Sequence, residues 1–161
     1  MDRLWAPWRM EYILSTVKKP DAAGCVFCKM LAESSDEQNL ILWRGQTAFV
    51  VMNKFPYNSG HLMVVPNRHT GEFASLTADE HLELAGLISR SKDALAKAVH
   101  PHGFNIGMNI GRASGAGIVD HLHYHIVPRW SGDSNFMSTT ADTKVMSESL
   151  PDTWKRLKSA F

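Results

Sequence analysis

Long apolar runs, excess charge and cysteine are all scarce in this chain of 161 residues. The longest apolar runs, such as Leu62-Met63-Val64-Val65, are far too short to cross a bilayer. No apolar stretch follows the charged N-terminus, so the sequence predicts neither a signal peptide nor a membrane partner. Lys and Arg number 17 against 16 Asp and Glu. This balance gives no electrostatic reason to expect nucleic acid as a partner, and we expect a cytoplasmic protein.

The two cysteines, Cys25 and Cys28, have a C-x-x-C spacing. Two cysteines form at most one disulfide, so a disulfide-rich mini-protein is excluded. In a chain without a secretory signal, the spacing indicates either half of a metal site or a redox-active pair. The remaining composition, with 44% apolar and 20% charged residues, is typical of a globular domain and excludes a disordered or collagen-like chain.

The chain is predicted to form a single domain over residues 1–161, with residues 1–24 as a tryptophan-rich N-terminal extension. No internal repeat or low-complexity segment interrupts it. The extension contains Trp5, Trp8 and further large apolar residues, which must be buried against the body or against a partner chain. Pairs of strand patterns, one long helix pattern and further strand patterns predict an α+β domain with a largely antiparallel sheet.

Turn residues and periodicity divide the chain into five strands and three helices. The clearest helix begins at a capping box, with Thr77 as N-cap and Glu80 at N3. Pro66 and Pro128 are expected to close the strands that precede them. The predicted strands cover 40–43, 47–52, 61–65, 104–110 and 121–127, and the predicted short helices cover 25–35 and 151–158.

The most informative segment is the run His121-Leu122-His123-Tyr124-His125-Ile126-Val127. Alternate residues of a strand share a face, so the three imidazoles lie on one side and the apolar residues on the other. A row of three histidines has no packing purpose, because each ring brings two polar nitrogens that need partners. The row indicates either a metal site or a nucleophilic imidazole with a neighbour that binds or donates a proton. A set of surface histidines is the remaining interpretation.

A loop of small residues precedes this strand, with Gly111, Gly115 and Gly117 around Arg112 and Ser114. Small residues expose backbone N–H groups, and such a concavity can hold phosphate oxygens. A glycine-rich loop alone is equally typical of an ordinary turn. Beside three aligned histidines, it favours a phosphorus centre close to an imidazole.

The histidine run resembles the motif of the histidine triad family, in which three histidines alternate with apolar residues. The flanking segments Leu4–Arg9, Pro56–Leu62 and Pro128–Met137 are similar to the bacterial branch of that family, which contains diadenosine tetraphosphate phosphorylases and related hydrolases. The resemblance covers nearly the whole chain. It implies a half-barrel antiparallel sheet with one long helix and a short C-terminal helix, a nucleotide substrate and a homodimer.

The resemblance also implies a role for each histidine of the run. His123 would attack the α-phosphorus and form a nucleotidyl-imidazole intermediate, and His125 would hold the phosphate oxygens. His121 would lie at the rim or, in the branch with a C-x-x-C pair, bind zinc. The implied reaction is cleavage of dinucleoside polyphosphates by phosphorolysis or hydrolysis.

Further residues are candidates for contact with the nucleotide. Asn109 matches a phosphate-contacting asparagine of the family, and Asn53 occupies a usually acidic position that contacts ribose. The backbone of the loop residues Ser114, Gly115 and Gly117 is also expected near phosphate. Phe27 and Leu31 would pack against the base or serve as plain core residues. Ala116 and Gly117 stand where many hydrolases of the family have glutamine and a hydroxyl residue, so water need not be the preferred acceptor.

Zinc-bearing relatives suggest that Cys25 and Cys28 are joined by His69 and His121 in a closed, structural zinc site. A redox pair and two buried thiols are the alternatives. No organic cofactor is expected. We interpret His61 as a structural residue of its loop and His81, His100 and His102 as solvated.

Three functions therefore stay open at this point. The first is an enzyme that transfers a nucleotidyl group through His123. The second is a non-catalytic module of the same fold that binds or senses nucleotides. The third is a redox or metal-trafficking protein built on the cysteines and histidines.

Overall fold

One five-stranded antiparallel sheet with strand order β1-β2-β3-β5-β4 organises the molecule. The computed structural model describes residues 24–133 and 146–161. The strands are β1 (Ile41–Arg44), β2 (Ala48–Met52), β3 (Leu62–Pro66), β4 (Gly103–Met108) and β5 (Tyr124–Arg129), and the α-helices are α1 (Val26–Ala32), α2 (Ala78–Val99) and α3 (Leu150–Lys158). The predicted α+β class, with an antiparallel sheet, one long helix and a short C-terminal helix, is confirmed. The tryptophan-rich N-terminal extension lies outside the described residues, apart from Gly24.

The long helix α2 covers one face of the sheet and forms the larger core with it. Thr77 accepts a hydrogen bond from the Glu80 N–H, and the Glu80 carboxylate accepts one from the Thr77 N–H, which confirms the predicted capping box. Leu84 and Leu95 of the helix are buried against Val50, Val64 and other sheet residues. In the described segments, no helix combines the length and the apolar character of a membrane span.

The opposite face of the sheet carries a smaller apolar cluster and the short helix α1. Phe27 of α1 is buried here against Phe49, Val51 and Val65. Since side chains alternate along a strand, β2 and β3 supply buried residues to both faces. This second face is the one on which the histidines lie.

The histidine segment differs from its predicted strand at both ends. β5 begins only at Tyr124, so His121 and His123 lie in the segment just before it. The strand also continues through Pro128, which was expected to end it. Pairing with β3 stops at Ile126, and beyond that point β5 has only β4 as its neighbour, so a residue without an N–H is tolerated.

Candidate active site and metal centre

A cavity of about 280 Å³ opens on the face of the sheet that α1 partly covers. His123 and His125 line it, together with Gly115 and Gly117 of the small-residue loop. Phe27 and Met30 of α1 give it an apolar wall. The other lining residues are Val26, Met52, Asn53, Lys54, Phe55, Tyr57, Met63 and Ile118. The cavity thus brings imidazoles, exposed backbone and an apolar wall together.

His123 is held in one tautomer by the backbone of the residue two positions before it. Its Nδ1–H donates to the carbonyl oxygen of His121 at 2.9 Å. The other ring nitrogen, Nε2, therefore keeps its lone pair. The ring is 5% exposed, and this burial lowers its pKa, so the imidazole is uncharged at neutral pH. An uncharged, oriented imidazole beside a cavity is equipped to act as a nucleophile.

His125 is hydrogen-bonded to a fourth histidine, His61, which is buried immediately before β3. His61 Nε2 lies 3.0 Å from Nδ1 of His125. On its other side, His61 Nδ1 accepts a hydrogen bond from the Tyr57 N–H at 3.1 Å. The Tyr57 ring stacks on His61 with centroids 4.6 Å apart. His61 is thus a support of His125, a role beyond the loop support expected of it.

The loop predicted to hold phosphate divides into residues that reach the cavity and residues that do not. Gly115 and Gly117 line it, and Gly115 adopts a φ of +85°, which glycine reaches without strain. Ser114 is exposed and its hydroxyl donates to the Gly111 carbonyl. Ser114 and Asn109 are not among the described residues that line the cavity. Their predicted phosphate contacts would require substrate to extend beyond it.

Of the two residues proposed to pack against a base, only Phe27 lines the cavity. Phe27 lines the cavity and packs against two of the histidines, with its ring centroid 5.3 Å from that of His121 and 5.2 Å from that of His123. Leu31 packs with the apolar cluster of that face and does not reach the cavity. Val26 and Met30 line it in its place. Met30 follows Phe27 by three residues and Val26 by four, and these helical spacings were the available signal.

Four predicted metal ligands meet beside the cavity. One ligand atom from each of Cys25, Cys28, His69 and His121 lies within 4.8 Å of all the others. The two histidine Nδ1 atoms are 3.2 Å apart. Sγ of Cys25 is 3.3 Å from Nδ1 of His121, and Sγ of Cys28 is 3.4 Å from Nδ1 of His69.

These separations fit a tetrahedral zinc ion. Zn–N bonds of about 2.0 Å and Zn–S bonds of about 2.3 Å place tetrahedral N···N pairs about 3.3 Å apart and N···S pairs about 3.5 Å apart. His121 also donates from Nε2 to the Pro66 carbonyl at 2.8 Å, which leaves Nδ1 as the lone-pair nitrogen. An outer hydrogen bond of this kind orients a ligating histidine. The four residues therefore form a group that can hold a metal ion, the metal-binding group.

A family model described as HIT domain matches residues 35–132. The chain is 38% identical over 165 residues to the AP-4-A phosphorylase of Mycobacterium tuberculosis, in an alignment that covers 100% of this chain and 85% of the relative. It is 31% identical over 123 residues to the uncharacterized HIT-like protein SSO2163 of Saccharolobus solfataricus, covering 76% of this chain and 86% of that protein.

Solved structures show the same fold. A Zn-bound histidine triad family protein from Mycobacterium smegmatis has a TM-score of 0.68 at 24% identity, over 86% of this chain and 93% of that one. A hypothetical histidine triad nucleotide-binding protein, ST2152 from Sulfolobus tokodaii, gives the same TM-score and identity over 84% and 91%. A family model matches more than half of this chain, and a relative aligns with all of it at 38% identity. The chain therefore belongs to the HIT domain family.

Proposed function

We propose that this protein is a nucleotidyl-transferring enzyme that cleaves dinucleoside polyphosphates at the α-phosphate. The observation that carries the proposal is the hydrogen bond from Nδ1 of His123 to the His121 carbonyl, because it leaves a lone pair on Nε2 of a neutral ring beside a cavity. The AP-4-A phosphorylase that is 38% identical over the whole chain supports the same substrate class.

In the first step, Nε2 of His123 attacks the α-phosphorus of the substrate. A P–N bond forms, the P–O bond to the rest of the polyphosphate breaks, and a mononucleotide stays on His123. For diadenosine tetraphosphate, the group that leaves is ATP. One difficult displacement is thereby divided into two easier ones, since the P–N bond is readily broken again.

The phosphate oxygens gain charge during this step and need hydrogen-bond donors that are already in place. His125 is suited to this because its ring lies 4.9 Å from that of His123, and both rings line the cavity. The backbone N–H groups of the loop at Gly115 and Gly117 are further donors. Preorganised donors of this kind are typically worth about 10²–10³-fold in rate each.

In the second step, an acceptor attacks the nucleotidyl-histidine and frees His123. Inorganic phosphate as acceptor would give ADP, and water would give AMP. The name of the M. tuberculosis relative favours phosphate.

The size of the cavity favours one nucleotide half of the substrate as its occupant. Its volume of about 280 Å³ is just below the roughly 300–1,000 Å³ that small-molecule sites usually have. We propose that the base lies against the apolar wall at Phe27 and Met30, with the ribose near Asn53. The second half of the substrate would extend outward, where Asn109 and Ser114 lie.

We propose further that the metal-binding group holds zinc in a structural role. The ligand separations and the thiol and imidazole donors support it, as does the zinc in the M. smegmatis neighbour. Zinc bound there would cross-link the segments that carry its four ligands and would take no part in the reaction. Cys25 and Cys28 would hold it with His69 and His121, and no step above passes through it.

The test of the function is turnover of diadenosine tetraphosphate by the protein and by a His123→Ala variant, with and without inorganic phosphate. We expect the unaltered protein to produce ADP and ATP in the presence of phosphate. The variant should lose at least about 10³-fold in kcat, because no other group replaces the nucleophile. Mass spectrometry of the quenched reaction should find one nucleotide attached to His123.

The matched control is His81→Ala. The His81 ring packs on Phe73 with centroids 5.0 Å apart and does not line the cavity, so kcat should change less than about twofold. Undiminished turnover by His123→Ala would contradict the proposal. Tight nucleotide binding by the unaltered protein without any turnover would support the sensor function in its place.

Two further properties are proposed from the resemblance, a cytoplasmic location and a homodimer. The described part of β4 pairs only with β5 and exposes Ile106, so this edge of the sheet supports association through β4. Light scattering of the pure protein measures the oligomeric state directly.

A further inference from the structure

We propose that Asn58 is a positioning residue, whose buried amide ties the loop of residues 53–61 to the end of β5 and to the carboxylate of Asp133. This loop forms one side of the cavity, so the amide would set the affinity for a nucleotide. The inference rests on the proposed function for its effect on substrate, whereas its geometry stands on hydrogen bonds that are independent of that function.

The loop of residues 53–61 connects β2 to β3, and four of its residues line the cavity. These four are Asn53, Lys54, Phe55 and Tyr57. The loop ends in a tight turn, in which the His61 N–H donates to the Asn58 carbonyl at 3.1 Å and Gly60 has a φ of +75°. A shift of this turn would move the side of the cavity and also His61, the support of His125.

The side chain of Asn58 fixes this turn to the end of β5. It is 6% exposed, and its Nδ2 lies 3.0 Å from the Pro128 carbonyl oxygen and 2.9 Å from Oδ2 of Asp133. A carbonyl oxygen cannot donate, so the nitrogen of the amide must be the atom that faces it. An amide nitrogen has two protons, and here each of them meets an acceptor.

Asp133 is in turn held by Arg129, the last residue of β5. The guanidinium donates from Nε to Oδ2 of Asp133 at 2.6 Å and from a terminal nitrogen to Oδ1 at 3.0 Å. Its other terminal nitrogen donates to Oδ1 of Asn105 in β4 at 2.8 Å. The Asp133 side chain is 9% exposed, and these charge-assisted bonds offset the cost of burying its charge. Through Asn58, the loop is thus attached to a pair of strands.

Replacing Asn58 by Asp turns this donor into an acceptor without changing its size. A carboxylate at position 58 would face the Pro128 carbonyl and the Asp133 carboxylate, and even when protonated it has one proton for two acceptors. Buried acceptors that face each other without protons repel, so the turn should move away from β5. The apolar residues of the loop stay the same, which isolates the role of the amide.

The test measures AMP affinity by titration calorimetry, well below Tm, and amide hydrogen exchange of residues 53–61 by mass spectrometry. We expect Asn58→Asp to weaken AMP binding at least about tenfold, the usual size of the penalty for unsatisfied buried groups. Exchange should become faster in residues 53–61 and stay unchanged in α2, because the loop moves while the larger core stays folded.

A second substitution should rescue the first. In the double variant Asn58→Asp/Asp133→Asn, the amide at 133 can donate to the carboxylate at 58. It should therefore bind AMP at least about threefold more tightly than Asn58→Asp alone. If Asn58→Asp does not fold, Asn58→Ala removes both donors without adding a charge and should weaken AMP binding about threefold or more.

Asn105→Asp is the matched control, because it makes the same chemical change where the side chain already accepts from Arg129. AMP affinity should change less than about twofold in this variant. Glu80→Gln, on the α2 side of the sheet, controls for lost stability and should lower Tm without changing AMP affinity.

The proposal is overturned if the folded Asn58→Asp variant binds AMP as tightly as the unaltered protein. It is also overturned if the double variant binds no better than Asn58→Asp, or if Asn105→Asp loses as much affinity. If the unaltered protein binds AMP but cleaves no dinucleoside polyphosphate, the proposed function fails, and the AMP affinities still decide the role of Asn58.

Discussion

Among single residues, His121 connects the two centres of the molecule. Its Nδ1 belongs to the metal-binding group, its Nε2–H donates to the Pro66 carbonyl, and its own carbonyl accepts from Nδ1 of His123. Both ring nitrogens and the carbonyl oxygen of His121 therefore have a defined role. The orientation of His123 therefore depends on the same residue that would hold the metal.

Glu80 gives a prediction about stability and pH. The hydrogen bond from Arg68, with that from the Thr77 N–H, holds the pKa of the Glu80 carboxyl at about 2. A carboxyl whose pKa is depressed on folding stabilises the protein above its unfolded pKa, near 4.3, and loses this contribution as pH falls towards 2. Glu80→Gln should lower the free energy of unfolding by about 1 kcal/mol at pH 7, because Gln keeps the cap but not the charge.

Urea unfolding at several pH values measures this difference. It should shrink between about pH 5 and pH 2, where Glu80 itself becomes protonated. Asp79→Asn, an exposed carboxylate of the same helical turn, is the control and should cost about 0.3 kcal/mol. An equal difference at pH 7 and pH 2.5 would contradict the role assigned to the Glu80 charge.

At the scale of elements, α1 is short but is fixed at its C-terminal end by β1. The Arg44 guanidinium donates to the carbonyls of Met30, Leu31 and Glu33 and to the carboxylate of Asp36. A helix of 7 residues has little stability of its own, so these bonds and the apolar contacts of Phe27 determine its position. The cavity wall and both cysteines depend on that position.

Arg44→Lys should therefore loosen α1. An ammonium group cannot bond several carbonyls in the fixed geometry of a guanidinium, and the cost should be about 1–2 kcal/mol. We expect zinc to pass faster to a colorimetric chelator and KM for the nucleotide to rise. Lys29→Gln, an exposed position on the same helix, is the control. Release at the unaltered rate from Arg44→Lys would show that Arg44 does not hold the helix.

In the histidine segment, the sequence predicts which face the side chains share but not where the strand begins. The alternation of His121, Leu122 and His123 predicted that the histidines share a face, and Leu122 does pack into the core on the α2 side. The face assignment needed only the period of extended chain. The start of β5 was wrong by three residues, because strand ends are set by pairing with β3 and β4, which one segment does not reveal.

The role of His61 could not be predicted for the same reason. It lies 64 positions before His125, and the two rings meet only because β3 pairs antiparallel with β5 in the register of Met63 with His125. The metal ligands, in contrast, are predicted together because the resemblance to zinc-bearing relatives points to His69 and His121, whereas the C-x-x-C spacing itself supplies only the two cysteines. Contacts between distant segments depend on the register of strand pairing, which residue spacing within one segment does not reveal.

At the scale of the whole molecule, the metal-binding group joins three separate parts of the chain. Cys25 and Cys28 belong to the start of α1, His69 follows β3, and His121 precedes β5. If zinc contributes about 3 kcal/mol, far less than the ~10–16 kcal/mol of isolated zinc fingers, its removal should lower Tm by about 6–12 °C. Calorimetry before and after chelation, and again after zinc is restored, measures this.

Cys28→Ser is the control for chelation, since its Tm should not respond to the chelator. Protein purified without chelator should contain about one zinc per chain. An unchanged Tm after complete zinc removal would contradict the structural role of the metal, and the proposal for His123 would then have to stand without it.

The two faces of the sheet differ in what they contribute. No residue of α2 lines the cavity, and the metal-binding group lies on the cavity side. Protein engineers who seek a heat-resistant form can alter the helical side without redesigning the cavity. Those who seek a different substrate would instead begin at the short helix, whose wall could be reshaped while the larger core keeps the molecule folded.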